Sequence, residues 1–285
     1  MGGSLVDFIK QIEHVVPVFV LVLARTIPLA TVPAPIYGMR NIPTSIRMSF
    51  AIFFSFFYIL MYNPSVKIPA ETIAFILMIL QELVTGFLFA FAASIIVSAI
   101  QSAGEIVDIQ AGLSMIMLMN PQTHTQSSAL GRLYYQIALM VFIIVGGHLY
   151  LLNAYFQSFT LLPIGAFYFG GEALQQLMRI TSNIFWIGTQ LSLPVLVVLF
   201  IVDFSLAMMN RVSPQVNVLE LNFAMKPTTS IIIILILLPT LIPVIGHLAE
   251  RMVSDSKILM TAASKHRHEI VKKYTSPNTW EDIWK

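Results

Sequence analysis

The sequence predicts an all-α integral membrane protein, and three observations carry that prediction. Hydrophobic residues make up 57% of the 285 and charged residues only 11%, whereas a soluble domain carries about 25% charged residues. Mean hydropathy is +0.81. The apolar residues also cluster into six regions, at 15–37, 48–62, 73–100, 133–164, 180–202 and 227–247. In lipid the backbone must bond to itself, so apolar runs of roughly 20 residues read as helices.

Composition also narrows the function. There is no cysteine, which excludes disulfides, thiolate catalysis and zinc–thiolate sites. A net charge of +2 argues against a broad nucleic-acid-binding face. The opening MGGSLVDFIKQIEHVV makes a poor signal peptide, because acids accompany its one Lys before the apolar run and no small-residue cleavage site follows. The first apolar segment is therefore expected to be retained.

The six regions differ in quality. Region 15–37 holds Arg25 together with Pro17, Pro28, Pro33 and Pro35. An Arg at mid-membrane costs about 2.5–3.5 kcal/mol, and each interior Pro removes a backbone hydrogen bond. Segment 15–43 is thus expected to be broken and to pack on protein rather than lipid. Region 48–62 looks too short to span. Region 73–100 is long but carries Gln81 and Glu82, and Glu82, Gly86, Ala90, Ser94, Ser98 and Ser102 recur every four residues. Small residues at that spacing let helices approach closely, within the chain or against other subunits.

Regions 133–164, 180–202 and 227–247 read as straightforward spans. In the last, IIIILILL at 231–238 gains roughly 2.4–4.8 kcal/mol at 0.3–0.6 per residue. Stretch 203–226, with Asp203, Arg211, Glu220 and Lys226, joins the last two spans into a hairpin. The tail 248–285 has seven Lys/Arg and five Asp/Glu and is the clearly water-soluble part. With six spans, the tail side collects Lys10, Lys67, Arg179 and the seven tail residues, and the other side Arg40, Arg47, Arg132, Arg211 and Lys226. The positive-inside rule then places the tail in the cytoplasm.

Between the third and fourth regions, Met115, Met117 and Met119 alternate with Ile116 and Leu118, followed by Asn120, Pro121 and Gln122. Methionine re-packs against varied surfaces, so the stretch reads either as a buried loop or short helix, or as a deformable gate.

No chemistry of an enzyme emerges. His266 and His268 lack a third metal ligand nearby. His148, after two glycines, reads as a packing histidine. GxSxG, HExxH, Walker A and GxGxxG patterns are all missing. Glu105 and Asp108, three apart on a helix, are weak grounds for acid–base work without a partner. No cofactor is implied. Arg25, Glu82, Asp203 and Arg211 remain as ionisable groups near membrane depth; they read as ion pairs that set helix register and assembly contacts more than as a proton relay.

Four stretches together resemble one family. ARTIPLATVPAPIYGMRNIPTSIR at 24–47 is similar to its opening Arg, spaced prolines and Gly-x-x-x-Ile-Pro-x-x-x-Arg. QELVTGFLFAFAASIIVSAIQSAGEIVDIQAGLS at 81–114 resembles its Glu-Leu-x-x-Gly helix with Gln-x-x-Gly and Gln-x-Gly segments. NPQTHTQSSALGRLYYQIALMVFIIVGGHLYLLNAYFQSFTLLPIG at 120–165 resembles its Asp/Asn-Pro-Gln loop, Gly-His-x-x-Leu helix and Leu-Pro exit. LSLPVLVVLFIVDFSLAMMNRVSPQVNVLELNFAMK at 191–226, which contains Gln215, resembles its Leu-Pro-Val and Arg-Val-x-Pro-Gln-x-Asn pattern. The family is the FliR/SctT export-gate proteins of flagellar and virulence type III secretion, and the resemblance runs from Arg25 to Lys226.

The resemblance implies a fold and a setting. Such proteins sit in the bacterial inner membrane, at the flagellar basal body or its injectisome equivalent. They form hetero-oligomers with FliP-type and FliQ-type gate subunits, alongside FlhB-type and FlhA-type proteins. Residues 1–179 would then be a FliP-like region, 180–247 a FliQ-like hairpin and 248–285 a polar tail. The family's loop that plugs the channel for unfolded export substrates would match 114–128, with Met115–Gln122 as its core. Asn120 stands where many members have Asp, and methionines replace aromatic residues, so the plug is expected to seal by softer packing. Arg25 and Glu82 are expected to face neighbouring subunits, with Asp203, Arg211 and Gln215 as further contact or structural polar residues. The alternative is a proton-coupled secondary transporter of a small solute that uses Glu82 or Asp203; no inverted repeat supports it.

Overall fold

The computed structural model describes residues 2–32, 42–62, 64, 66–114, 128–168 and 170–264, with side chains from Val15 onward. The described regular elements are helices: α1 (Gly2–Thr31), α2 (Thr44–Tyr62), α3 (Thr72–Gln110), α4 (Ala129–Ile144), α5 (Gly147–Leu161), α6 (Gly171–Val212) and α7 (Val218–Ala262). An isolated antiparallel bridge pairs Phe167 with Ser264. Among the described residues, α2, α3, α6 and α7 are long and apolar enough to cross a membrane, and α4 with α5 makes a fifth candidate if the two count as one broken span. The chain is an all-α membrane protein.

Two expectations about where helices break are corrected. The proline-bearing first region is helical through Pro17 and Pro28 as far as Thr31. Each proline removes only one helix hydrogen bond, and the helix continues through both; Thr26 Oγ1 also donates to Val22 O at 2.8 Å and Thr31 Oγ1 to Ile27 O at 3.1 Å. Pro33 and Pro35 lie outside the described residues. Region 133–164, whose one proline is Pro163 at its far end, by contrast, is not one helix. It stops at Ile144, and Gly146 turns with φ of 76°, a conformation that costs other residues about 1–2 kcal/mol. Region 48–62 also proves long enough, since α2 starts at Thr44 and runs for 19 residues.

The contacts divide the chain into two units, and α3, α6 and α7 each contribute to both. The first comprises 1–94, 148–179 and 252–285. Its core joins Val18, Leu21, Val22 and Leu29 of α1 to Tyr58 of α2, Phe89 of α3 and Tyr155 and Phe159 of α5. The Tyr58 and Phe159 rings stack with centroids 4.1 Å apart. Contact between α1 and α3 is as close as backbones permit: a Cβ at Gly86 would lie 2.1 Å from the Arg25 carbonyl oxygen. This is the small-residue stripe at work within the chain. Glu82, Gly86, Ala90 and Ser94 are buried, and the stripe then winds outward to an exposed Ser98. At one end of the unit, the α2–α3 connection with Lys67 and the α5–α6 connection with Pro163–Gly165 line a cleft of about 740 Å³. The chain leaving α7 reaches the α5–α6 connection too, where Tyr168 N donates to Ala263 O at 3.0 Å.

The second unit comprises 95–147 and 180–251. Here α3 supplies Ile95, Ile100, Ala103 and Val107, α4 supplies Tyr134 and Phe142, and the hairpin supplies Leu199 and Ile234. Glycines again set the spacing. A Cβ at Gly104 would lie 2.5 Å from Leu130 O, and one at Gly131 would lie 2.7 Å from Glu105 Cγ. The α6–α7 hairpin turns at 213–217, and its helices, at 42 and 45 residues, far exceed the apolar stretches that announce them.

Candidate functional site

Membrane proteins place ionisable side chains only where partners exist, so the buried polar groups mark the constrained places. Arg25 and Glu82 form the first. Arg25 is 1% exposed and Glu82 is fully buried. Arg25 Nε donates to Glu82 Oε2 at 2.6 Å, and its Nη1 donates to the carbonyls of Ser158 and Leu162 at 3.2 and 2.9 Å. The guanidinium lies over the Phe159 ring, 4.3 Å from its centroid. Glu82 Oε1 accepts from Gly165 N at 2.9 Å. Next to Arg25 on α1, Thr26 Oγ1 shares hydrogen bonds with Ser55 and Tyr155. The expectation that Arg25 and Glu82 face neighbouring subunits differs from this arrangement. They face each other in the interior of the first unit, where Nε and Nη1 of the guanidinium find acceptors and Nη2 does not; a charge pair out of water depends on such added hydrogen bonds.

The second polar group sits in the second unit at the end of α3. Gly112, with φ of 78°, turns the chain out of the helix. Asp108 is fully buried one turn earlier. Its Oδ2 accepts from Ser114 Oγ at 2.8 Å and its Oδ1 accepts from Leu130 N at 3.1 Å. Ser128 caps α4, accepting from Gly131 N at 2.8 Å. The first-turn N–H groups of a helix have no partner of their own, so Asp108 and Ser128 satisfy two of them together. Sequence reasoning paired Asp108 with Glu105 as neighbouring carboxylates. The structure separates them: Gln101 Nε2 donates to Glu105 at 2.8 Å, and Asp108 turns inward. The Ser-x-x-Gly step at 128–131 is the one sequence signal that marked this junction, as a helix cap.

Asp203 makes the third. Its Oδ1 pairs with Lys226 Nζ at 2.6 Å and its Oδ2 accepts from Gln110 Nε2 at 3.1 Å. The carboxylate thus ties α3 and both hairpin helices at one level. Arg211 is exposed in the last turn of α6, where a cation suits the negative end of the helix dipole. Gln215 is exposed in the hairpin turn. Met115, Ile116, Met117, Leu118, Met119, Asn120, Pro121 and Gln122 lie outside the described residues; Ser114 and Ser128, which flank them, do not. The tail beyond Ser264, with His266 and His268, is likewise outside. Among the described residues, no group of three or more His, Asp or Glu is placed to hold a metal.

Comparison with known proteins follows the same stretch of chain. The family model described as bacterial export proteins, family 1, matches residues 16–252. The flagellar biosynthetic protein FliR of Escherichia coli (strain K12) is 28% identical over 215 residues, 75% of this chain and 82% of that protein. FliR of Bacillus subtilis (strain 168) is 28% identical over 256 residues, 88% of this chain and 97% of that protein. The Yop proteins translocation protein T of Yersinia pestis is 33% identical over 176 residues, 61% of this chain and 67% of that protein.

Proposed function

The chain belongs to the bacterial export proteins, family 1, and from that premise we propose that it is a channel subunit of a type III protein-export gate in the bacterial inner membrane. The observation that carries this reading is the extent of the match. It covers all three polar groups and the hairpin, and its relatives include a flagellar biosynthetic protein and a Yop proteins translocation protein. The gate would conduct unfolded substrates and would be completed by FliP-type and FliQ-type subunits, with FlhB-type and FlhA-type proteins nearby. Within it, residues 1–179 form the FliP-like part and 180–247 the FliQ-like hairpin. The exposed apolar faces of α2 and α6, with Phe53, Phe56, Phe185 and Trp186 turned outward, suit burial among such helical partners as well as against lipid.

The segment with Met115–Gln122 is the plug of this reading. Its roots are firmly built even though the segment itself is described no further: Asp108 and Ser128 hold the chain on either side of it. The tail lies in the cytoplasm, by the excess of Lys/Arg on its side; Lys67 and Ser264 occupy the same end of the first unit, as that grouping requires. The solute-transporter alternative finds no support, because Glu82 and Asp203 are both committed to ion pairs. Replacing 115–122 by a short Gly/Ser linker is expected to raise membrane conductance and slow growth. Unchanged conductance and growth would refute the plug, and failure to co-purify small helical partners would refute the gate.

A further inference from the structure

We propose that Asp108 is a positioning residue that clasps the two roots of segment 115–127, so that one carboxylate sets how far apart the segment begins and ends. This inference rests on the export-gate reading for its consequence, though not for its geometry.

An ionised carboxylate only accepts hydrogen bonds, and a buried one is stable only where donors converge on it. The donors at Asp108 come from opposite sides of the segment. Ser114 Oγ, the last described residue before it, donates at 2.8 Å, and Leu130 N, just after it, donates at 3.1 Å. The carboxylate is fully buried. Gly104 and Gly131 bring α3 and α4 within backbone contact of each other, Gly112 turns the chain back so that Ser114 returns onto Asp108, and Ser128 fixes the first turn of α4. Asp108 therefore ties the chain before the segment to the chain after it, and such a tie opposes the loop-closure entropy that spreads the two ends of any connecting stretch. If the segment is the plug, its reach across the channel is governed from this clasp.

The test uses the full-length chain assembled with its native partners in membranes. The natural sequence contains no cysteine, so spin labels on Leu113→Cys and Arg132→Cys, whose side chains take no part in the clasp, report the separation of the two roots. The parent is expected to give a single narrow distance distribution. In Asp108→Ala the fraction of separated roots is expected to rise about tenfold or more, as loss of one hydrogen bond to a charged group already brings. Asp108→Asn keeps an acceptor for Leu130 N and a partner for the Ser114 hydroxyl, and is expected to stay narrow. Should Asp108→Ala fail to assemble, Ser114→Ala decides: it leaves the carboxylate bonded to Leu130 N and is expected to broaden the distribution. A distribution unchanged by Asp108→Ala, or by Ser114→Ala in its place, overturns the clasp. Conductance separates the two readings. Roots that part while the membrane stays tight uphold the clasp and refute the plug; roots that stay fixed while loop replacement causes a leak overturn the clasp and leave the plug intact.

Discussion

Helices α3 and α7 are almost equally apolar, with mean hydropathies of 2.4 and 2.6 over their most apolar stretches, yet 72% of that stretch is buried in α3 and 22% in α7. Hydropathy therefore does not decide which helix the protein encloses. Lipid tails are as apolar as leucine, so no hydrophobic force draws one membrane helix onto another. Close backbone approach and polar pairing decide instead. Helix α3 offers Glu82, Thr85, Gly86, Ala90, Ala93, Ser94, Ala99, Ala103 and Gly104, all buried. Helix α7 offers bulky Ile231, Ile232, Leu235 and Ile236, all exposed.

Substitutions test this contrast, from the largest expected effect downward. Glu82→Ala leaves the Arg25 guanidinium charged, buried and unpaired, and is expected to cost about 3–5 kcal/mol. Arg25→Met combined with Glu82→Leu should recover much of it, as read from the thermal midpoint of the purified complex. Ile100→Ala in α3 empties a fully packed site and is expected to cost about 2–5 kcal/mol; Ile236→Ala in α7 should move stability by less than about 0.5 kcal/mol. Equal losses in SDS unfolding titrations of the two variants would break the comparison.

Glycines sharpen it further. Gly86→Ala drives a methyl group into the Arg25 carbonyl and is expected to cost about 1–3 kcal/mol. Gly246→Ala in α7 meets only Val145 Cγ2 at 3.7 Å, and should instead stabilise by up to about 1 kcal/mol through helix propensity. Opposite signs in the same titration are the expected result. Of the two ion pairs, the smaller effect belongs to Lys226→Ala. Its partner Asp203 is about one-third exposed and keeps Gln110, so the loss should stay within about 1 kcal/mol in low salt and shrink as salt is added.

Much of this fold was legible in advance. The long spans at 73–100, 180–202 and 227–247 are readable from length and hydropathy, and a close helix contact from the small-residue spacing on α3, but not that α1 is its partner. The misreadings have physical causes. Gly146 precedes Gly147 in full view, but an apolar run gives no sign that the helix will stop there; that depends on what the chain beyond it packs against. Prolines 17 and 28 point to a break, yet α1 runs through both, because each removes only one backbone bond and the helix is held by its buried packing. Arg25 and Glu82 were both singled out, yet 57 residues separate them, and no local pattern links them. Asp108 was noticed beside Glu105 and valued for the wrong neighbour, since its donors come from the chain on either side of the segment 115–127.

By itself the sequence determined what depends on local chemistry: a helical chain in a membrane, and four ordered motifs that place it among export proteins. Helix formation and insertion follow from residues read a turn or a span at a time, so one dimension suffices. The tertiary structure alone decided which apolar helix is enclosed, that Arg25 neutralises Glu82, and that Asp108 joins both roots of one segment. Those outcomes depend on a few ångströms between residues far apart in the chain, and a buried charge is stable or ruinous according to that distance.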